Sequence, residues 1–282
     1  MSTDTQFAWM HPQYIWLDDE LAAAEDAPEL HFSARQQSGV FDDLRCYDTH
    51  RGPAIFRLQD YVERFLHTLH AMGVPGLGYD AAKLRAAICS TVQANGFVDC
   101  TIRPQVVYRS PLGQELQGQE LHSYQPTISI AVWRGSDEPD AHVALRVISR
   151  MGPEGLALVH VADDGVVFTA DHVLLVQDGV IYAAPGGAML GGMTRDTALT
   201  LARDAGYAVI GEQLTPQRLA AADEVLVCNA ALEVMGVAEV DGRPLPIGPI
   251  TRQLQQLYAE TVRGQNRFAR RWLDYMDVVT VI

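Results

Sequence analysis

One polar stretch governs how this chain can fold. Residues 134–141 read RGSDEPDA, rich in charge and turn formers, and a full set of strand and helix signals lies on each side. A chain of 282 residues is long enough for two cores. The expectation is therefore two α/β domains, residues 1–133 and 142–282, joined by the linker 134–141.

In the first half, QYIWLDDELA at 13–22 and LHFSA at 30–34 alternate as half-buried strands do, and predict a hairpin turning through EDAPE at 25–29. VFDDLRCYD, AIFRL, TIRPQVVYR and TISIAVW predict further strands. LQDYVERFLHTLHAMG predicts a helix with Tyr61, Phe65, Leu66 and Leu69 on one face and a stop at Gly73. A second helix is bounded by Asp80 as N-cap and by Asn95-Gly96. In the second half, VALRVISR, GLALVHVAD and HVLLVQ predict strands, with hairpin turns at Asp164-Gly165 and Asp178-Gly179. TRDTALTLARDAGY predicts a helix, and TPQRLAAADEVLV a helix running into a strand. GPITRQLQQLYAETVRGQNRFARRWLDYM predicts one long C-terminal helix with a break near Gly264.

Net charge is −14, which argues against a nucleic-acid or anionic-membrane surface, because both need clustered cations. No apolar run approaches the roughly 20 residues of a membrane helix. The first sixteen residues lack a basic start followed by an apolar run, so no signal peptide is expected. Cys46, Cys89, Cys100 and Cys228 show no paired spacing and read as reduced side chains of a cytoplasmic protein.

The run VFDDLRCYDTHRGPAIFRLQDYVERF at 40–65 resembles the branched-chain aminotransferases, class IV pyridoxal-phosphate (PLP) enzymes of fold type IV. The likeness continues through TIRPQ, VQDGVIYAAP, GGMTRDTALTLARDAG, AADEVLVCNAALEVMGVAEVDGRP and GPITRQLQQLYAETVRG, in the family's order and over nearly the whole chain. It implies a two-domain α/β architecture of the D-amino acid aminotransferase type, a cofactor cleft between the domains, and a homodimer.

The departures from the family pattern are specific. The resemblance places a helix-sized segment with the PLP-linking lysine between the strands written here RVISR and GLALVHVAD. This chain has only Met151, Gly152, Pro153 and Glu154 after Arg150. Of its 21 basic residues one is a lysine, Lys83, and it falls on a helix of the other domain. The family's glutamate against the pyridine nitrogen has no counterpart in VVFTADH: Thr169 stands nearest, and Asp171 is the neighbouring carboxylate. Without such an acid the ring is a weak electron sink. Arg64 matches the phosphate arginine, and could equally be a structural ion-pair residue. Gly192, Met193 and Thr194 match a phosphate loop, while the family's Gly-Thr-Ala reads Asn229-Ala230-Ala231. Arg64, Gly192, Met193, Thr194, Ala230 and Ala231 are thus expected to form a vestigial cofactor site that still suits an anion through backbone amides. No bound cofactor and no conventional transamination are expected.

Other polar groups fall where the resemblance puts the cleft. Asp42 and Asp43 are candidates for acid–base work, since adjacent carboxylates raise one another's pKa. Arg45 matches an arginine that reads a substrate carboxylate, a bidentate role that survives without PLP. Arg35 and Arg103 are further substrate-binding candidates, Arg103 matching a family arginine that is commonly structural. Asp43 could instead simply pair with Arg45 or Arg103. Thr101 replaces a pocket tyrosine. His160, Asp171 and His172 have suggestive spacing, but no metal is expected.

These features favour a PLP-independent enzyme acting on a small carboxylated metabolite, in a setting such as specialised biosynthesis. One alternative is a non-catalytic paralogue that binds such a ligand or pairs with an active aminotransferase. The other is a transaminase or lyase using non-covalently held PLP or pyridoxamine phosphate (PMP).

Overall fold

The computed structural model describes residues 12–17, 19–26, 40–74, 77–109, 125–134, 143–145, 150–152, 155–157, 172–186 and 188–276. The chain forms two compact units, Met1–Ser136 with Phe268–Ile282, and Asp137–Arg267.

The first unit is a sheet covered on one face by two helices. Its strands are β1 (Tyr14–Leu17), β2 (Glu20–Ala23), β3 (Leu44–Tyr47), β4 (Ala54–Phe56), β5 (Cys100–Arg109) and β6 (Gln125–Arg134). The helices are α1 (Leu58–Ala71) and α2 (Ala81–Asn95). Leu44, Cys46, Ile55, Ile102, Val106 and Ile130 face the helices and pack with Tyr61, Phe65, Leu84 and Ile88. Alternation along the strands sends Arg45, Thr101, Arg103, Gln105 and Ser129 to the opposite face. The second helix begins where the Asp80 side chain accepts from Lys83 N at 2.8 Å and ends at left-handed Gly96, both as the sequence predicts. Asn95 then holds β1: its Oδ1 accepts from Gln13 N and Tyr14 N, and its Nδ2 donates to Tyr14 O.

One expectation changes here. The first hairpin closes at Asp19, with Leu17 opposite Glu20, rather than at 25–29, where Ala24–Asp26 forms a short 3-10 turn. LHFSA lies outside the described residues.

The second unit contains β7 (Val143–Leu145), β8 (Arg150–Gly152), β9 (Gly155–Ala157), β10 (Val173–Gln177), β11 (Val180–Ala183), β12 (Val209–Gly211), β13 (Glu224–Asn229), β14 (Glu233–Val240) and β15 (Arg243–Pro244). Its helices are α3 (Ala188–Asp204), α4 (Pro216–Ala220) and α5 (Pro249–Val262). The strands β12, β11, β10, β13, β14 and β15 lie side by side, with β7 parallel to β14; β8 pairs only with β9 among the described residues. The β10–β11 hairpin turns at Asp178-Gly179, both with positive φ, as a primed turn requires. The Asp164-Gly165 turn lies outside the described residues. Helices α3 and α5 cover β13 and β14. The fit of α5 is close: a Cβ on Gly236 would meet Thr251 Cγ2 at 3.0 Å.

The predicted long C-terminal helix stops at Val262. After it come a short helix, α6 (Ala269–Trp272), and a strand, β16 (Leu273–Tyr275), which pairs with β4 and completes the first sheet in the order β16-β4-β3-β5-β6-β1-β2. Trp272 O accepts from Arg57 N, and the Trp272 ring meets Phe56 edge-on. An open sheet edge and an aromatic cluster override the helical pattern of the segment.

Candidate functional site

On the first unit, four of the predicted residues form one charged cluster. Asp43 and Arg103 make two parallel hydrogen bonds, Arg103 Nε to Oδ1 at 2.6 Å and Nη2 to Oδ2 at 2.7 Å. The Arg103 guanidinium also lies 4.9 Å from the Phe41 ring centre and 5.0 Å from that of Trp133. The hydrogen bonds to Asp43 raise the Arg103 pKa further, outweighing burial. Arg64 donates from Nη2 to Asp42 Oδ2, and Tyr61 donates its hydroxyl to Asp42 O at 3.0 Å. Burial pushes the Asp42 pKa up to about 6; Arg64 opposes the rise and the Asp43 charge adds to it. Asp42 is therefore a carboxyl poised to exchange a proton near neutral pH.

Arg45 lies one strand over. Its Nη2 donates to Asp99 Oδ1 at 2.9 Å, and its guanidinium is 5.3 Å from the Tyr47 ring centre. Thr101 is buried between Arg45 and Trp133 in the cross-strand register. Asp43 thus pairs with Arg103 rather than Arg45. Arg35 lies outside the described residues, as do His160 and Asp171. No three metal-binding side chains converge among the described residues.

On the second unit, Gly192 breaks α3 with φ 75° and ψ 162°, so the helix proper starts at Met193. The first turn of that helix presents backbone N–H groups, a natural anion seat. Thr194 is buried in this turn. Arg195, also buried, donates to Ala184 O and Gly186 O and fastens the exit of β11 against the helix start. Ala230 and Ala231 occupy the turn between β13 and β14, which Asn229 closes by accepting from Leu232 N at 2.6 Å. Sequence reasoning missed Arg195; nothing in MTRDT sets it apart from its polar neighbours Thr194, Asp196 and Thr197.

Comparison with known proteins shows what the chain is similar to. The profile of the family described as "Amino-transferase class IV" matches residues 158–240. The branched-chain-amino-acid aminotransferase of Pseudomonas aeruginosa PAO1 is 29% identical over 92% of this chain and 95% of its own length. The T.th. branched-chain amino acid aminotransferase with pyridoxamine 5'-phosphate superposes with a TM-score of 0.76 at 27% identity, covering 95% of this chain and all of the other. The chain is similar to the class IV aminotransferases over nearly its whole length. Its fold is that of the fold type IV branched-chain enzymes. The Escherichia coli branched-chain enzyme shares that fold at a TM-score of 0.75 and 22% identity.

This similarity corrects the expectation of no cofactor. The T.th. structures are complexed with pyridoxamine 5'-phosphate and with N-(5'-phosphopyridoxyl)-L-glutamate, so the relatives point to PLP and its amine form. On the second unit, the helix start at Met193-Thr194 suits a phosphate through its backbone amides. On the first unit, Arg64 is half-buried and paired with Asp42. The hydroxyl of the family's Gly-Thr-Ala has no equivalent at Ala230, and Thr169 lies outside the described residues.

Proposed function

We propose that this chain is a class IV aminotransferase that holds a pyridoxal or pyridoxamine phosphate without a covalent lysine link and acts on a small amino or oxo acid. The carrying observation is the β8–β9 pair. Gly152 stands opposite Gly155, leaving Pro153 and Glu154 as the whole connection where the resemblance places the lysine segment. The chain's one lysine is occupied elsewhere: Lys83 Nζ donates to Asp19 Oδ2 at 2.7 Å and lies 4.4 Å from the Tyr79 ring centre.

When bound, the cofactor supplies an amino-group carrier and an electron sink. The chain's own residues do the rest. The amides at Met193-Thr194 would hold the phosphate, in place of a covalent tether. Arg103, aimed by Asp43 and held between two aromatic rings, is suited to bind a carboxylate. Asp42 would take up or release a proton at its Oδ atoms near neutral pH. The family resemblance supports a homodimer as the working form.

The test is an absorption spectrum of the purified protein with and without PLP, then borohydride treatment and peptide mass spectrometry. A saturable, dialysable vitamer band with no reduced adduct on Lys83 is expected. An adduct on Lys83 would sink the lysine-free reading, and absence of saturable binding would sink the cofactor reading. Light scattering checks the dimer, and a monomer would refute that part.

A further inference from the structure

The sheet face that carries Arg103 also carries two buried polar groups with no role so far. Gln105 on β5 and Ser129 on β6 stand directly opposite one another. Directly opposed residues of an antiparallel pair share a face, with Cβ atoms about 5 Å apart. Gln105 keeps 5% of its exposure and Ser129 none. Yet Gln105 Nε2 and Ser129 Oγ are both without a hydrogen-bond partner among the described residues. They do not satisfy each other, although they are neighbours.

The surroundings sharpen the oddity. Leu17 lies opposite Ser129 on the far side, and Phe41 bridges to Gln105. The adjacent row across the same face is Arg103 with Ala131. An amide donor and a hydroxyl therefore sit in an apolar frame, one row from a guanidinium suited to a carboxylate. Buried polar groups are nearly always partnered, so a pair left open points to a third participant.

We propose that Gln105 and Ser129 form a specificity subsite for an oxygen-bearing side chain of a small 2-oxo or amino acid. The ligand oxygen would accept from Gln105 Nε2. Ser129 Oγ would donate to the same group, or accept from it where the group is a carboxamide. A branched hydrocarbon in this position leaves both protein groups unpartnered, and that penalty is what discriminates. The inference rests on the reading of the Arg103 face as substrate-binding.

The test compares 2-oxosuccinamate with 4-methyl-2-oxopentanoate, whose chain ends are nearly isosteric and which have no stereocentre. Both are titrated by calorimetry into PMP-saturated protein and into protein without vitamer. The wild type is expected to favour 2-oxosuccinamate by about 10-fold or more. Gln105→Leu and Ser129→Ala should each erase most of that preference, while affinity for 4-methyl-2-oxopentanoate holds or rises. Equal binding of the two acids, no binding of either, or a preference that survives both substitutions overturns the subsite. A change in melting temperature without a change in the ratio assigns the pair a structural role and also overturns it. Failure to take up PMP is a separate result that strikes the cofactor reading alone.

Discussion

The Asp43 carboxylate and the Arg103 guanidinium meet edge to edge, in two parallel hydrogen bonds of 2.6 and 2.7 Å. Each side chain retains a quarter or less of its exposure, so each shields the other's charge from a poor environment. Removing one partner leaves the other half-buried and uncompensated. Asp43→Ala should therefore lower unfolding free energy by about 1–3 kcal/mol. Arg103→Ala added to it should cost less than the sum of the single changes. Urea unfolding of the two single variants and the double variant checks this; strict additivity would show that the pair contributes nothing.

Asp42 gives a pH signature. Its pKa in the fold is about 6, above the ordinary 3.8, chiefly because it is buried. Between these values the folded state holds a proton that the unfolded state has released. Stability from this group is therefore full below the lower value and lost as pH rises through about 6. Asp42→Asn cannot titrate, so its stability relative to wild type should climb from about pH 4 to about pH 7 and then level off. A climb of at most roughly 3 kcal/mol follows from the shift. Unfolding curves across that range test it, and a flat difference would mean that Arg64 keeps Asp42 ionised throughout.

Glu224 caps a helix that begins far along the chain. Its two oxygens accept from Ile250 N at 3.2 Å and Thr251 N at 2.7 Å, satisfying the first turn of α5. A Cβ on Gly248 would lie 2.2 Å from its carboxyl carbon. Gly248→Ala should displace the carboxylate and cost about 2 kcal/mol or more. Gly211→Ala is the control, since nothing lies within 4 Å of the added carbon there. Melting temperatures of the two variants should diverge; similar values would show that Glu224 moves aside freely.

Lys83 is a surface residue in energetic terms. Its side chain is 38% exposed and that of its partner Asp19 53%. Such pairs contribute about 1 kcal/mol at most. Lys83→Gln should leave PMP affinity unchanged and lower stability only slightly. Loss of the vitamer band in this variant would place Lys83 at the cofactor after all.

Thr194 tests the anion seat directly. It is buried at the start of the α3 turn that follows Gly192. Thr194→Val keeps the shape and removes the hydroxyl, so PMP affinity should fall by about 10-fold. Titration followed by fluorescence checks the value, and an unchanged affinity would leave the phosphate to backbone amides alone.

What the sequence determined by itself was mostly local. The bounds of α2 were legible because Asp80 and Gly96 act within a few residues of the backbone groups they satisfy. The Asp178-Gly179 turn was legible for the same reason. Asp42, Asp43, Arg45 and Arg103 could be named from the family pattern, but the choice between Arg45 and Arg103 as the partner of Asp43 could not be made. Asp43 took Arg103 and left Arg45 to Asp99 because strand register, not sequence distance, set which charges met. Tertiary structure alone turned Leu273–Tyr275 into a strand, since β4 offered an unpaired edge that no local pattern reveals. It also brought Gln105 against Ser129, distant in the chain and adjacent in the sheet. Periodicity tells which face a residue takes; only the folded sheet decides what it finds there.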